Sequence, residues 1–214
     1  MSASHSRLKR RRFTPAVLAA GVLGTLLLSL SMTGTLSAFT AQITNNTNTA
    51  ASGSLIMKET SSDGVKECLS TGIGTTVTNN AATCSTINKF GGSNAMLPGT
   101  KVTTQINIQN VGTAPASTFT LTPAACTQAK VGTYSGTATD LCAKMNIVIK
   151  SGAATVFTGT LAGLAASTPA ITMPPAPAAG VSVPFTFDVT LDAAAGDTYQ
   201  GLQASMPLVW TFST

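Results

Sequence analysis

Val102-Thr103-Thr104-Gln105-Ile106-Asn107-Ile108-Gln109 decides the fold. Successive side chains of an extended chain point to opposite faces. Val102, Thr104, Ile106 and Ile108 therefore share one side, and Thr103, Gln105, Asn107 and Gln109 share the other. One apolar face and one polar face make a half-buried strand. Asn110-Val111-Gly112 follows as a turn. The same period recurs along the chain. Thr118–Thr122 aligns Phe119 with Leu121, and Lys144–Lys150 aligns Met145, Ile147 and Ile149. Val183–Leu191 aligns Val183, Phe185, Phe187, Val189 and Leu191. Leu202–Phe212 ends the chain with Met206, Leu208, Trp210 and Phe212 in step. Pro207 falls on the opposite face of that last run, and its missing N–H predicts an edge position or a bulge. Leu161–Ala166 is short and interrupted by Gly163, a weak helix signal. Ser167–Ala179, rich in Pro and Ala, reads as a long loop, as does polar Thr71–Thr86. Short alternating strands without an amphipathic helix predict an all-β fold, an antiparallel β-sandwich with long loops.

The first forty residues have a different character. Arg7, Lys9, Arg10, Arg11 and Arg12 make a basic region, Pro15–Leu30 is almost unbroken apolar sequence, and small residues follow to Phe39. That order is the pattern of an export signal, with the cut expected between Ser37 and Ala38. The apolar run to Leu30 is shorter than the roughly 20 residues of a membrane span. Counted through Phe39 it is long enough, so retention as an anchor is the alternative. A type IV pilin leader is rejected: Arg12 precedes Phe13 where a glycine is needed, and Val17 stands where a glutamate is needed. The expected organisation is a signal peptide (1–37), an extended N-terminal segment (38–54) and one β-sandwich domain (55–214).

The chain carries 12 Lys and Arg against 7 Asp and Glu, a formal net charge of +5. The five leader bases account for all of that excess. Residues 38–214 hold seven lysines, seven acids and no arginine, so no basic patch for nucleic acid is readable. A net charge near zero leaves little repulsion between copies, which favours association.

All four cysteines lie after the leader. An even count in an exported chain predicts disulfides. Fifteen residues lie between Cys68 and Cys84, and fifteen between Cys126 and Cys142. Of three possible pairings, this spacing singles out those two local bridges, each stabilising by about 3 kcal/mol on the loop-entropy model. The rival is a four-cysteine zinc site, whose ligand pairs are usually separated by only two to four residues.

Catalytic chemistry is sparse. The only histidine, His5, lies in the leader. Residues 38–214 thus lack what Ser–His–Asp, Cys–His and His-Glu-x-x-His sites require. Asp188 and Asp192 share the outward face of a predicted strand. At about 13 Å apart they are too distant for the ~5–9.5 Å of glycoside hydrolysis, and read as solvated strand residues. Gly72-Ile73-Gly74 and Gly91-Gly92-Ser93 lack the Lys-Ser/Thr of a phosphate loop and read as turns. Asp192 and Asp197 are the remaining thought for calcium, without EF-hand spacing. Trp210 and Phe212 are core aromatics by their alternation, with ligand binding as the alternative. No catalytic residue, cofactor or metal is expected, and an assembly or binding role is the default.

The junction carries a resemblance. Ala38-Phe39-Thr40-Ala41-Gln42-Ile43 is short, apolar and strand-compatible; Thr44–Thr49 is polar; Ala51-Ser52-Gly53-Ser54-Leu55 follows, leading into a strand-like Leu55–Lys58. Further along stand Leu97-Pro98-Gly99-Thr100-Lys101, Asn110-Val111-Gly112-Thr113 and Tyr199-Gln200-Gly201. In this order the motifs resemble the TasA/camelysin family of exported bacterial fibre proteins. The chain departs from that pattern in its four cysteines and in Thr35 and Ser37 around the cut. The resemblance implies a jelly-roll-like sandwich, cleavage by a dedicated signal peptidase, and polymerisation into extracellular or biofilm-matrix fibres. It also implies head-to-tail contact between copies, in which residues 38–43 act as a donor strand with Phe39, Ala41 and Ile43 pointing one way. Minor fibre or anchor subunits are further expected partners. Family members have been described as metallopeptidases; without a histidine or a zinc motif after residue 37, that activity is not carried over. A monomeric surface adhesin is the main alternative to a fibre subunit.

Overall fold

Ile106, Ile108, Phe185, Phe187, Val189, Ile147 and Ile149, the apolar faces of three neighbouring strands, are all at most 1% exposed. They form the centre of a six-stranded antiparallel sheet in the computed structural model. The structure describes Gln42, Ile43, Asn45 and residues 48–74, 77–93, 95–134, 136–173 and 175–214. The leader, the cleavage pair Ser37 and Ala38, and the donor residues Phe39 and Ala41 lie outside the described residues. Ile43 is described and is 95% exposed. Residues 51–214 form one compact unit.

The strands are β1 (Met57–Ser61), β2 (Glu67–Leu69), β3 (Lys101–Asn110), β4 (Thr118–Pro123), β5 (Thr127–Lys130), β6 (Met145–Ser151), β7 (Ala154–Thr160), β8 (Ile171–Thr172), β9 (Ser182–Leu191), β10 (Leu202–Ser205) and β11 (Leu208–Ser213). The large sheet runs β2-β1-β3-β9-β6-β7; the other layer consists of β11-β4-β8 and β10-β5. Every pairing is antiparallel. The expected all-β antiparallel sandwich with long loops is the observed architecture. Its core is packed by Phe119 of β4 against Phe185 of β9, edge to face at 5.7 Å. Burying each such side chain contributes about 1.5–3 kcal/mol.

Some local expectations change. The terminal run is two strands rather than one. The chain pairs with β5 through Ser205, turns at Met206-Pro207, and pairs with β4 from Leu208. Pro207, which cannot donate to a ladder, sits at the switch between sheets. The weak helical stretch forms one turn, α2 (Leu161–Ala165), capped by the Thr160 hydroxyl accepting from Gly163 N–H. A second single turn, α1 (Leu141–Lys144), runs directly into β6. Within the expected loop Ser167–Ala179, Ile171 and Thr172 pair with β4.

Leu97–Lys101, Asn110–Thr113 and Tyr199–Gly201 hold tight turns. Asn110, fully buried, donates from its amide to Ala114 O and Pro177 O and accepts from Gly112 N–H. A Cβ on Gly112 would lie 2.2 Å from Ser54 O, so glycine alone lets residues 54–56 run against this turn. Val111 N–H then reaches Ile56 O, and Thr113 N–H reaches Ser54 O. Gly201 adopts φ +63°, and a Cβ there would strike Tyr134 O. Gly99 N–H, in the Leu97–Thr100 turn, donates to Leu191 O at the end of β9.

Candidate functional site

Among the described residues, β11 is paired on one flank only. Its register with β4 runs from Leu208 opposite Pro123 to Ser213 opposite Thr118. Beside it lies a groove of about 1350 Å³, lined by every residue from Pro207 to Phe212. Consecutive strand residues face opposite sides, so a lining that includes all six shows the groove running along the strand's edge. An unpaired edge presents a row of free N–H and C=O groups, ready to pair with another strand.

The groove has a mixed lining in which polar residues such as Ser70, Asn80, Asn88 and Gln203 stand among large apolar ones. Met57, Ile87, Phe90, Met96, Met145 and Met206 are among its lining residues. Unbranched, polarizable methionines adapt to the shape of what packs on them. Trp210 belongs both to the core and to the groove. Its ring packs 5.0 Å from Phe185, 5.6 Å from Phe119 and 6.3 Å from Phe187, centroid to centroid. Its Nε1–H is buried and has no hydrogen-bond partner among the described residues. Phe212, against Phe119 at 4.8 Å, lines the same edge. The choice between core and ligand aromatics thus resolves into half-buried positions that serve the core while lining the groove.

The opposite wall is the connection from β2 to β3. Four ties hold it. Cys68 of β2 is bonded to Cys84, and both line the groove. Asn80 accepts from the Ser70 hydroxyl and donates to Leu55 O, each at 2.6 Å. Ala82 N–H donates to Ser70 O, and Ser70 N–H to Met57 O. Finally, Lys89 Nζ lies 2.5 Å from Glu59 Oε1, with side chains only 12% and 7% exposed. Burial pushes the Glu59 carboxyl above its ordinary value, and Lys89 opposes that shift. Apart from this matched pair, Asp197 is the only charged residue lining the groove among the described residues.

The second bridge, Cys126–Cys142, ties the chain before β5 to α1 and does not line the groove. The two bridges are the local pairs to which the spacing points. They leave no free thiol among the described residues, which removes the four-cysteine zinc site. Two disulfides belong to an oxidising compartment. Among the described residues no helix is long and apolar enough to cross a membrane, and no three His, Cys, Asp or Glu side chains gather as a metal site.

Asp188 is not the solvated strand residue expected. Its side chain is 12% exposed and accepts from Thr103 Oγ1 at 2.6 Å. Lys101 and Lys150 stand 3.5 and 3.7 Å away. The Thr103 hydrogen bond, then the two lysines, hold its carboxyl below the ordinary value against the opposing effect of burial. Asp192 accepts from Ala194 N–H and pairs with Lys144 at 3.7 Å, and Asp197 accepts from Gln200 Nε2. These carboxylates hold turns and strand faces. The groove was missed by sequence reasoning because its walls come from segments over a hundred residues apart. Its one local signal was Pro207, which frees the run after it to join another sheet. No family model matches the chain, and no curated protein matches it.

Proposed function

We propose that this chain is a secreted structural subunit that polymerises into extracellular or biofilm-matrix fibres by β-augmentation. The observation that carries this reading is the edge of β11, without a second paired strand among the described residues, beside a groove whose lining includes Trp210, Phe212, Phe90 and several methionines. The occupant is the segment Ala38–Ile43 of a second copy, freed by signal-peptidase cleavage before Ala38. Its six residues extend about 20 Å, the reach of the six residues Pro207–Phe212 along the edge. Phe39, Ala41 and Ile43 alternate toward the groove, and backbone groups pair with the edge. No side chain of the segment is charged, its one charge being the α-ammonium that cleavage leaves on Ala38, and the groove's buried carboxylate already has its lysine. The uncharged Thr44–Thr49 stretch links donor and fold. A contact between one end of a subunit and a different surface of the next does not close on itself, so it makes filaments. Minor or anchor subunits with a similar strand fit the same groove.

Purified protein beginning at Ala38 is expected to elongate into filaments under electron microscopy. Protein beginning at Ala50 is expected to remain monomeric by light scattering. Equal polymerisation of both would defeat the donor-strand reading, and a monomeric Ala38 form at high concentration would favour a surface adhesin.

A further inference from the structure

Resting on that acceptor reading, we infer that the Cys68–Cys84 disulfide makes the acceptor groove, so that a subunit with this bridge open can donate its strand but not receive one. Such a subunit caps a filament.

The two bridges are placed differently. Cys68 lies in β2, a three-residue edge strand paired only with β1 among the described residues. Cys84 lies in the connection that forms the wall opposite β11, and both cysteines line the groove. This connection, residues 70–100, contains no strand among its described residues. Connections of that length are uncommon in compact domains unless functional or disordered. Its ordering near the edge depends on few contacts. Ala82 N–H reaches Ser70 O, Asn80 bridges Ser70 and Leu55, and the disulfide closes the loop. Beyond Cys84 the chain is anchored separately, by buried Ile87 and the Glu59–Lys89 pair. Opening Cys68–Cys84 therefore removes the one covalent tie on the described residues 77–85 and leaves only the Asn80 and Ala82 hydrogen bonds to hold that part of the wall, while Ile87 and Lys89 keep their buried places. The strand that would be donated, Ala38–Ile43, lies outside the loop that the bridge closes. Cys126–Cys142 closes an equal span, 16 residues in sequence, but off the groove.

Closing the bridge is a thiol–disulfide exchange. A thiolate of the pair attacks the disulfide of an oxidised dithiol partner, giving a mixed disulfide and one partner thiolate. The second cysteine's thiolate displaces the other partner sulfur. Two electrons and two protons leave Cys68 and Cys84, and the partner departs as a dithiol. Acceptor competence then appears only after the chain reaches an oxidising compartment.

The test compares two double variants, Cys68→Ser with Cys84→Ser and Cys126→Ser with Cys142→Ser. Each is made as protein beginning at Ala50, which keeps the 51–214 unit and leaves the groove unfilled by other copies, for peptide binding, and as protein beginning at Ala38 for filament capping. A labelled peptide of residues 38–49 reports acceptor function. Oxidised wild-type protein must bind it; failure there sinks the acceptor reading itself. If the open wall holds its groove-forming conformation a tenth of the time, affinity falls about tenfold. The first variant is expected to keep its β-sheet circular dichroism, bind the peptide about tenfold more weakly or worse, and shorten wild-type filaments at substoichiometric ratios. The second is expected to bind within about threefold of wild type, its loop lying off the groove. Wild-type binding by the first variant, or equal loss by both, overturns the inference while leaving the acceptor reading intact. Should the first variant not fold, wild-type protein is titrated with a dithiol, and opened cysteines are trapped by alkylation and identified by mass. Peptide binding that persists in molecules alkylated at Cys68 and Cys84 overturns the inference equally.

Discussion

Replacing Lys89 by Met should destabilise the fold far more than a surface lysine change. Lys89 Nζ sits 2.5 Å from Glu59 Oε1, and the two side chains are 12% and 7% exposed. At an effective dielectric near 20 the attraction at this distance is about 7 kcal/mol, most of it offset by taking both ions out of water. Removing one partner leaves the other charge buried without compensation, at about 3–5 kcal/mol. Glu59 can escape part of this by taking up a proton, which its raised pKa already favours. The double variant Glu59→Leu with Lys89→Met removes both charges at similar volume, and is expected within about 1 kcal/mol of wild type or more stable. Urea unfolding of disulfide-intact protein at pH 7, followed by Trp210 fluorescence, measures all three. A loss below about 1 kcal/mol for Lys89→Met, or additive losses in the double variant, would refute the picture of a desolvated, mutually dependent pair.

Phe185→Ala removes a ring that touches Phe119 and Trp210 and is 1% exposed, and should lower unfolding free energy by about 3–5 kcal/mol in the same assay. Trp210→Phe deletes the Nε1–H that has no partner among the described residues. If that donor meets a carbonyl of the incoming strand, affinity for the 38–49 peptide falls roughly fivefold, one net hydrogen bond, by isothermal calorimetry. The two shifted carboxylates predict opposite pH effects. Asp188, held low, contributes stability present above the ordinary carboxylate pKa and lost as pH falls through its lowered value. Asp188→Asn should therefore weaken the acid-side loss. Glu59, held high, lowers stability as pH rises from the ordinary value through its raised one. Glu59→Gln should flatten the stability profile in that window, measured by urea midpoints from pH 3 to 8.

β3 and β9 are legible in the sequence because each keeps one apolar face for ten residues against a single core. Leu202–Phe212 keeps the same alternation, yet changes sheets midway. Period alone does not report which partner a strand has, and only Pro207 marks the break. The disulfides are legible because both are local. The Glu59–Lys89 pair is not, since nothing in a strand glutamate and a loop lysine thirty residues later announces a shared burial. The segment proposed as donor stands out in the sequence by its apolar alternation. Its acceptor does not, because an edge is defined by the strand that is missing beside it. Asn110–Gly112 and Tyr199–Gly201 are legible as turns, but the reason for their glycines is not. Gly112 against Ser54 O and Gly201 against Tyr134 O supply it.

The central claim is that the free edge of β11 receives an extended strand. Hydrogen exchange of the 51–214 unit, read by mass spectrometry with and without the 38–49 peptide, tests it most directly. Pairing along the edge should slow exchange across Val209–Phe212 about tenfold or more, while the β7 edge of the large sheet stays unchanged. Exchange at β11 that is the same with and without peptide, or protection at β7 instead, would contradict it.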